Sequence, residues 1–168
     1  MEKKKYIEKV RAQLASLNSS DVADALNVIN EKALIEFLPE MARLYEKHIT
    51  EEIDRQLESM FNHNKYKKVI PVICDLVNNE RNPETIKMLI SSVWQSGLDY
   101  SAHIEVFMPF LKSSDFSLSF EALTVIESNI DFLDDKNAGK LKKSLSAIRN
   151  DANENIRLLL DGILEQLK

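Results

Sequence analysis

Val69-Ile-Pro-Val-Ile-Cys-Asp-Leu-Val77, Asn78-Asn-Glu-Arg-Asn-Pro83 and Glu84-Thr-Ile-Lys-Met-Leu-Ile-Ser-Ser-Val-Trp94 together decide the fold. In the first stretch Val69, Ile70, Val72, Ile73, Leu76 and Val77 recur at the spacing of a helix that buries one face. The second stretch carries no apolar residue and ends in Asn-Pro. In the third, Ile86, Leu89, Ile90, Val93 and Trp94 restore helical spacing. Pro83 falls where a helix tolerates proline best, in its first turn, and Asn82 is placed to cap the exposed N–H groups. Gly97 closes the second helix. The unit is a helical hairpin.

The same grammar returns about 34 residues later, a usual period for helical repeats. Ala102–Leu111 supplies a first helix, Lys112–Asp115 the turn, and Leu118, Phe120, Ala122, Leu123, Ile126 and Ile130 a second helix. A further step gives Leu141, Leu145, Ala147 and Ile148, a turn at Arg149–Asp151, and Ile156, Leu159, Leu160, Ile163 and Leu164. Toward the N-terminus, Leu34, Leu38, Met41, Leu44 and Tyr45 pair with Ile53, Leu57, Met60 and Phe61 across His48–Thr50. Before them, Tyr6, Ile7, Val10, Leu14 and Leu17 pair across Asn18–Asp21 with Val22, Ala25, Leu26 and Ile29. Single helices this short are marginal in water, so stacking must hold them. The expectation is an all-α chain, an α-α superhelix or solenoid of about five antiparallel pairs. Its repeats would span 2–31, 33–63, 66–97, 101–131 and 136–168 of a single domain, 1–168.

Composition agrees. The 168 residues include only three Gly and four Pro, and no segment alternates apolar and polar residues between glycine-rich turns, as strands would. A hydrophobic content of 44% is enough for a continuous core. The net charge of −5 argues against duplex nucleic acid as the main partner, because that affinity rests on Lys and Arg neutralising phosphates. Cys74 is the only cysteine, so no internal disulfide forms, and its apolar surroundings predict a buried packing residue. Met1-Glu-Lys-Lys-Lys-Tyr-Ile7 contains no apolar leader core, and no apolar run approaches the roughly 20 residues that cross a bilayer. The expected compartment is the cytoplasm, with no membrane partner.

Asn82-Pro83-Glu-Thr-Ile86-Lys87 resembles the turn and second-helix opening of the HEAT repeat, with Asn and Lys where that family has Asp and Arg. Asp151 with Ile156-Arg157 is similar but lacks the proline, and Pro39, Pro71 and Pro109 look like the family's first-helix proline. The Ser114-Asp115 turn has the Asp without a proline or basic residue. The resemblance implies that the Asp caps the second helix and that the basic residue reaches a neighbouring turn. It also implies that the second helices line a concave surface. Asp24, Asn27, Glu31, Glu51, Arg55, Glu58, Met88, Ser91, Gln95, Glu121, Thr124, Arg157 and Asp161 are the non-core positions expected there. The acidic first half of that set would steer a basic peptide toward it.

Residues that could carry chemistry are few. His48, His63 and His103 show no metal-binding spacing, and the His-Glu pairs of HEAT-like iron-dependent hydroxylases are missing. No cofactor is expected. Glu51-Glu52 and Asp134-Asp135 are sequence neighbours, which on a helix diverge by about 100°. They suit helix starts better than catalysis. Trp94 is placed beside the apolar stripe, and Met88 is the candidate for an exposed apolar contact. Lys3–Lys5, Lys65, Lys67 and Lys68, and Lys140, Lys142 and Lys143 each fall near the start of a first helix, where lysine is unfavourable. They mark a candidate anion-binding edge.

The function expected from this pattern is a non-catalytic scaffold or adaptor for a protein or peptide. One alternative is an enzyme like the HEAT-like alkylpurine DNA glycosylases, although those use a basic groove and this one is acidic. Another is an assembly element that self-associates through its last helix, where Leu158, Leu160, Ile163, Leu164 and Leu167 are apolar on more than one side.

Overall fold

The computed structural model describes residues 2–167, with side chains from Lys4 onward; Met1, Lys168 and the side chain of Lys3 lie outside the described residues. Helices are the only regular elements among them. They are α1 (Glu2–Leu14), α2 (Ser19–Glu31), α3 (Leu38–Tyr45), α4 (Glu51–Asn62), α5 (Val69–Asn79), α6 (Pro83–Ser96), α7 (Phe116–Asn129), α8 (Asp135–Ile148) and α9 (Glu154–Gln166). Short 3₁₀ turns lie at Ile35–Phe37, Ser101–Val106, Met108–Lys112, Ile130–Phe132 and Arg149–Asp151. The chain forms two compact units, Met1–Leu89 and Ile90–Lys168, with the division inside α6.

Polar side chains set where the helices begin. Asn18, Thr50, Asn82, Asp115 and Asn153 each accept from a backbone N–H in the first turn of α2, α4, α6, α7 and α9, at 2.9 to 3.2 Å for the closest contact. Asp134 does the same for α8 at 2.7 Å. Each such cap satisfies an otherwise orphaned donor and stabilises its helix by about 1 kcal/mol. The cap of α9 is Asn153, not Asp151. A 3₁₀ turn over Arg149–Asp151 delays the helix, and Asp151 instead pairs with Lys112 at 3.7 Å. Arg157 correspondingly reaches only its own connection, donating to the carbonyls of Asn150 and Ala152 at 3.3 Å each.

In the first unit α1 packs on α2, α2 on α4, and α3 on both α4 and α5. Ile53, Leu57 and Phe61 of α4 are almost fully buried and meet the core formed by Val22, Leu26 and Ile29 of α2. Burial of each such side chain is worth about 1.5–3 kcal/mol. Cys74 is buried as expected, and burial pushes its thiol pKa up to about 11. Leu17 falls outside this core. α1 ends at Leu14, so Leu17 sits in the connection and is 98% exposed.

In the second unit α7 packs on α9 and on the two 3₁₀ turns, and α8 packs on α9. The segment 101–112 is not the α-helix that its periodicity predicts. Pro109 has no N–H to donate to Glu105, and its ring would crowd that carbonyl in an α-helix, so the chain closes into 3₁₀ turns on either side of Phe107. Pro39 and Pro71 lie in the first turns of α3 and α5, where no such bond is lost.

Candidate functional site

On α2 and α4 the expected surface residues do face outward. Asp24, Asn27, Glu31, Glu51 and Arg55 are exposed, and Gln56 donates to Asn27 at 2.9 Å, which ties the two helices on that side. Glu58 is half-buried and occupied, since it accepts from the Tyr45 hydroxyl at 2.7 Å. Burial, with the Glu58 contact second, holds the Tyr45 phenol well above its ordinary pKa. Arg55 lies 3.9 Å from Glu51, one turn away, and neutralises part of the acidic charge.

The expectation for α6 is reversed at Met88, and Trp94 stands at the margin of the core. Met88 is buried with 6% of its surface exposed, whereas Trp94 is 37% exposed. Thr85, Ser92 and Ser96 are buried alongside Leu89 and Val93, and these small polar side chains move the inward face around the helix by a fraction of a turn. Met88 is carried in and Trp94 out. The indole N–H then donates to Oε2 of Glu121 on α7 at 2.7 Å. Ser91 and Gln95 bond to each other on the outer side of α6 at 2.8 Å.

Phe120 and Leu159, read from their spacing as core residues, are 45% and 41% exposed. Phe116 at 45% and Leu158 at 68% lie beside them, and the rings of Phe116 and Phe120 are 6.0 Å apart. Phe120, Leu158, Leu159 and Gly162 line a shallow groove between α7 and α9 of about 220 Å³. Thr124 also borders it, with its hydroxyl returned to the Phe120 carbonyl at 2.9 Å. The surplus of apolar residues on α7 is the signal that could have found this face. Phe116, Leu118, Phe120, Ala122, Leu123, Val125 and Ile126 are more than one buried stripe can take in.

Arg157 and Asp161 of α9 make internal contacts. Asp161 is clamped by Arg149, one of the two bonds measuring 2.7 Å, and this bonding holds its carboxyl below the usual carboxylate range. Lys65, Lys67 and Lys68 are exposed in the connection before α5. Lys140, Lys142 and Lys143 are exposed too, but they occupy the middle of α8, not its start, because the helix begins at Asp135 under the Asp134 cap. These lysines therefore do not crowd that N-terminus, and they drop out of the expected anion-binding edge.

Other depressions are larger, among them one of about 270 Å³ in the first unit where Leu14, Ala15 and Leu44 lie beside Arg11, Glu40, Arg43 and Lys47. One of about 320 Å³ in the first unit runs past Leu34, Met41, His63 and Tyr66, and one of about 440 Å³ in the second runs past Met108, Phe132, Lys140 and Leu141. Among the described residues, no three of His, Cys, Asp and Glu converge to hold a metal ion, and no helix is long and apolar enough to cross a membrane. Comparison with protein-family models, curated proteins and solved structures finds no match to this chain.

Proposed function

We propose that this chain is a non-catalytic interaction module of HEAT-like helix pairs, and that it binds a protein segment on the surface of its second helices. The observation that carries the reading is the placement of exposed apolar side chains. Of the eight large hydrophobic residues exposed among the described residues, five (Trp94, Phe116, Phe120, Leu158 and Leu159) lie on α6, α7 and α9 of the second unit. Single exposed apolar residues are ordinary, but a contiguous group of aromatic and leucine side chains marks a recognition surface. The packing of α2 on α4, α3 on α5 and α7 on α9 supports repeat-like stacking within each unit. So does the capping of every second helix by an Asn, Asp or Thr side chain.

The test is affinity purification of the wild-type chain beside a Phe120→Gln/Leu158→Gln variant whose melting temperature is checked. A partner recovered by the wild type and lost by the variant supports the reading. Equal recovery by both would move the recognition surface elsewhere.

A further inference from the structure

The α7–α9 groove is too small and too open for a drug-sized ligand, which fills cavities of about 300–1,000 Å³. At about 220 Å³ it suits two or three side chains projecting from one face of a helix. Gly162 leaves the floor open, with nothing within 4 Å of where a Cβ would stand. The seat is thus open and lies along two packed helices, with Phe120, Leu158 and Leu159 beside the polar Thr124, Glu127 and Gln166.

Its rim is acidic. α7 carries Glu121 and Glu127 with no Lys or Arg, and α9 carries Glu154, Asp161 and Glu165 with a single base, Arg157. That base is turned toward the carbonyls of Asn150 and Ala152, and Asp161 is already neutralised by Arg149. Among the described residues, Glu127, Glu154 and Glu165 have no basic partner. A second copy docking by the same patch would set these carboxylates against one another. An anionic membrane or a nucleic acid would be repelled for the same reason.

Resting on the interaction-module reading above, we infer that the α7–α9 groove takes a cationic amphipathic helix. Its apolar residues sit on Phe116, Phe120, Leu158 and Leu159, and its Lys or Arg residues meet Glu127, Glu154 and Glu165. The apolar contacts hold the helix, and the charges select its sign.

Two peptides of about 16 residues, long enough for four turns, test this. Both carry Leu at helical spacing and no Trp; one has Lys at every polar position and its twin has Glu. Trp94 is the sole tryptophan and lies on the flank of the face, so its emission and calorimetry report binding. The Lys peptide is expected to bind and to weaken as salt rises from about 0.05 to 0.3 M. Glu127→Lys/Glu165→Lys should weaken it by roughly tenfold or more, as loss of rim charge and steering does. Gly162→Gln, which fills the groove in an open helical position, should weaken it comparably. Glu8→Lys, exposed on α1, should leave it unchanged.

Equal affinity for the Glu twin, or indifference to both groove variants, overturns the inference. If the Glu twin binds and Gly162→Gln abolishes that binding, the groove is a recognition surface and only its charge preference has been misjudged. Failure of both peptides overturns the cationic helix while leaving the interaction-module reading to the affinity purification. Concentration-dependent dimerisation abolished by Leu158→Gln makes a second copy the occupant, which also overturns the inference.

Discussion

The side-chain oxygen of Asn129 accepts a hydrogen bond from the backbone N–H of Tyr100 at 2.7 Å, fully buried and 29 residues distant in sequence. Asn129 also donates to the Val125 carbonyl at 2.8 Å, so one amide fastens the entry of the 101–112 segment to the end of α7. That segment has only 3₁₀ geometry of its own, whose hydrogen bonds are poorer than those of an α-helix. Tyr100 in turn packs edge-on against Phe107, their rings 6.1 Å apart. Asn129→Ala would leave the Tyr100 N–H buried without this acceptor. The expected cost is about 1–3 kcal/mol. Urea unfolding measures it, and an unchanged midpoint would show that the segment does not depend on the amide.

Ala33 should be better as glycine. It follows the C-cap of α2 with φ at 48°, its N–H donates to Asn30 at 3.2 Å, and the N–H of Leu34 donates to Ile29 at 3.0 Å. That double pattern is a Schellman motif, whose left-handed position is usually glycine. Ala33→Gly removes a Cβ penalty of about 1–2 kcal/mol and adds about 0.5–1 kcal/mol of chain entropy cost. The net expectation is a gain of up to about 1.5 kcal/mol in urea unfolding.

His48 should make the first unit sensitive to pH. Its Nδ1 lies 2.9 Å from Asp54 and its Nε2 3.5 Å from Glu84; the Tyr45 ring, whose hydroxyl is engaged by Glu58, is 5.6 Å away. The hydrogen bond to Asp54 is the main reason that its pKa is raised. A histidine raised above its unfolded value of about 6.5 adds stability that is fully present below that pH. That stability is lost as pH rises through the folded value. His48→Gln should flatten the dependence across this window, and unfolding midpoints on either side of neutrality would show it. The same slope in the variant would assign it to another group.

The sequence made the helices legible because their punctuation is local. Asn82, Pro83 and Gly97 can be read without knowing what α6 packs against, and they end up as cap, first turn and left-handed terminator, with Gly97 at φ 65°. Orientation was less legible. Hydrophobic spacing does not register buried Thr85, Ser92 and Ser96, so the inward face of α6 was placed on the side of Trp94 instead of Met88. On α7 and α9 an excess of apolar residues leaves the pattern indifferent between inward and outward for Phe120 and Leu159. The proposed recognition face lies among these ambiguous positions for a physical reason. An apolar residue reserved for a partner has the composition of a core residue.

The contact of Trp94 with Glu121 can be separated from the groove beside it. The indole N–H is satisfied by Glu121 at 2.7 Å, but with 37% of Trp94 exposed, water can replace that partner. Glu121→Ala should therefore cost no more than about 0.5–1.5 kcal/mol, the worth of one ordinary hydrogen bond. Its emission should shift to longer wavelength, because the only indole in the chain then meets solvent where a carboxylate stood. Glu121→Gln should restore most of the stability through its amide oxygen, while removing one negative charge from the α7 surface. If Glu121→Ala instead lowers the melting temperature as strongly as loss of a core residue, Trp94 is held by that carboxylate as part of the fold. It would then be a poor reporter of anything bound alongside it.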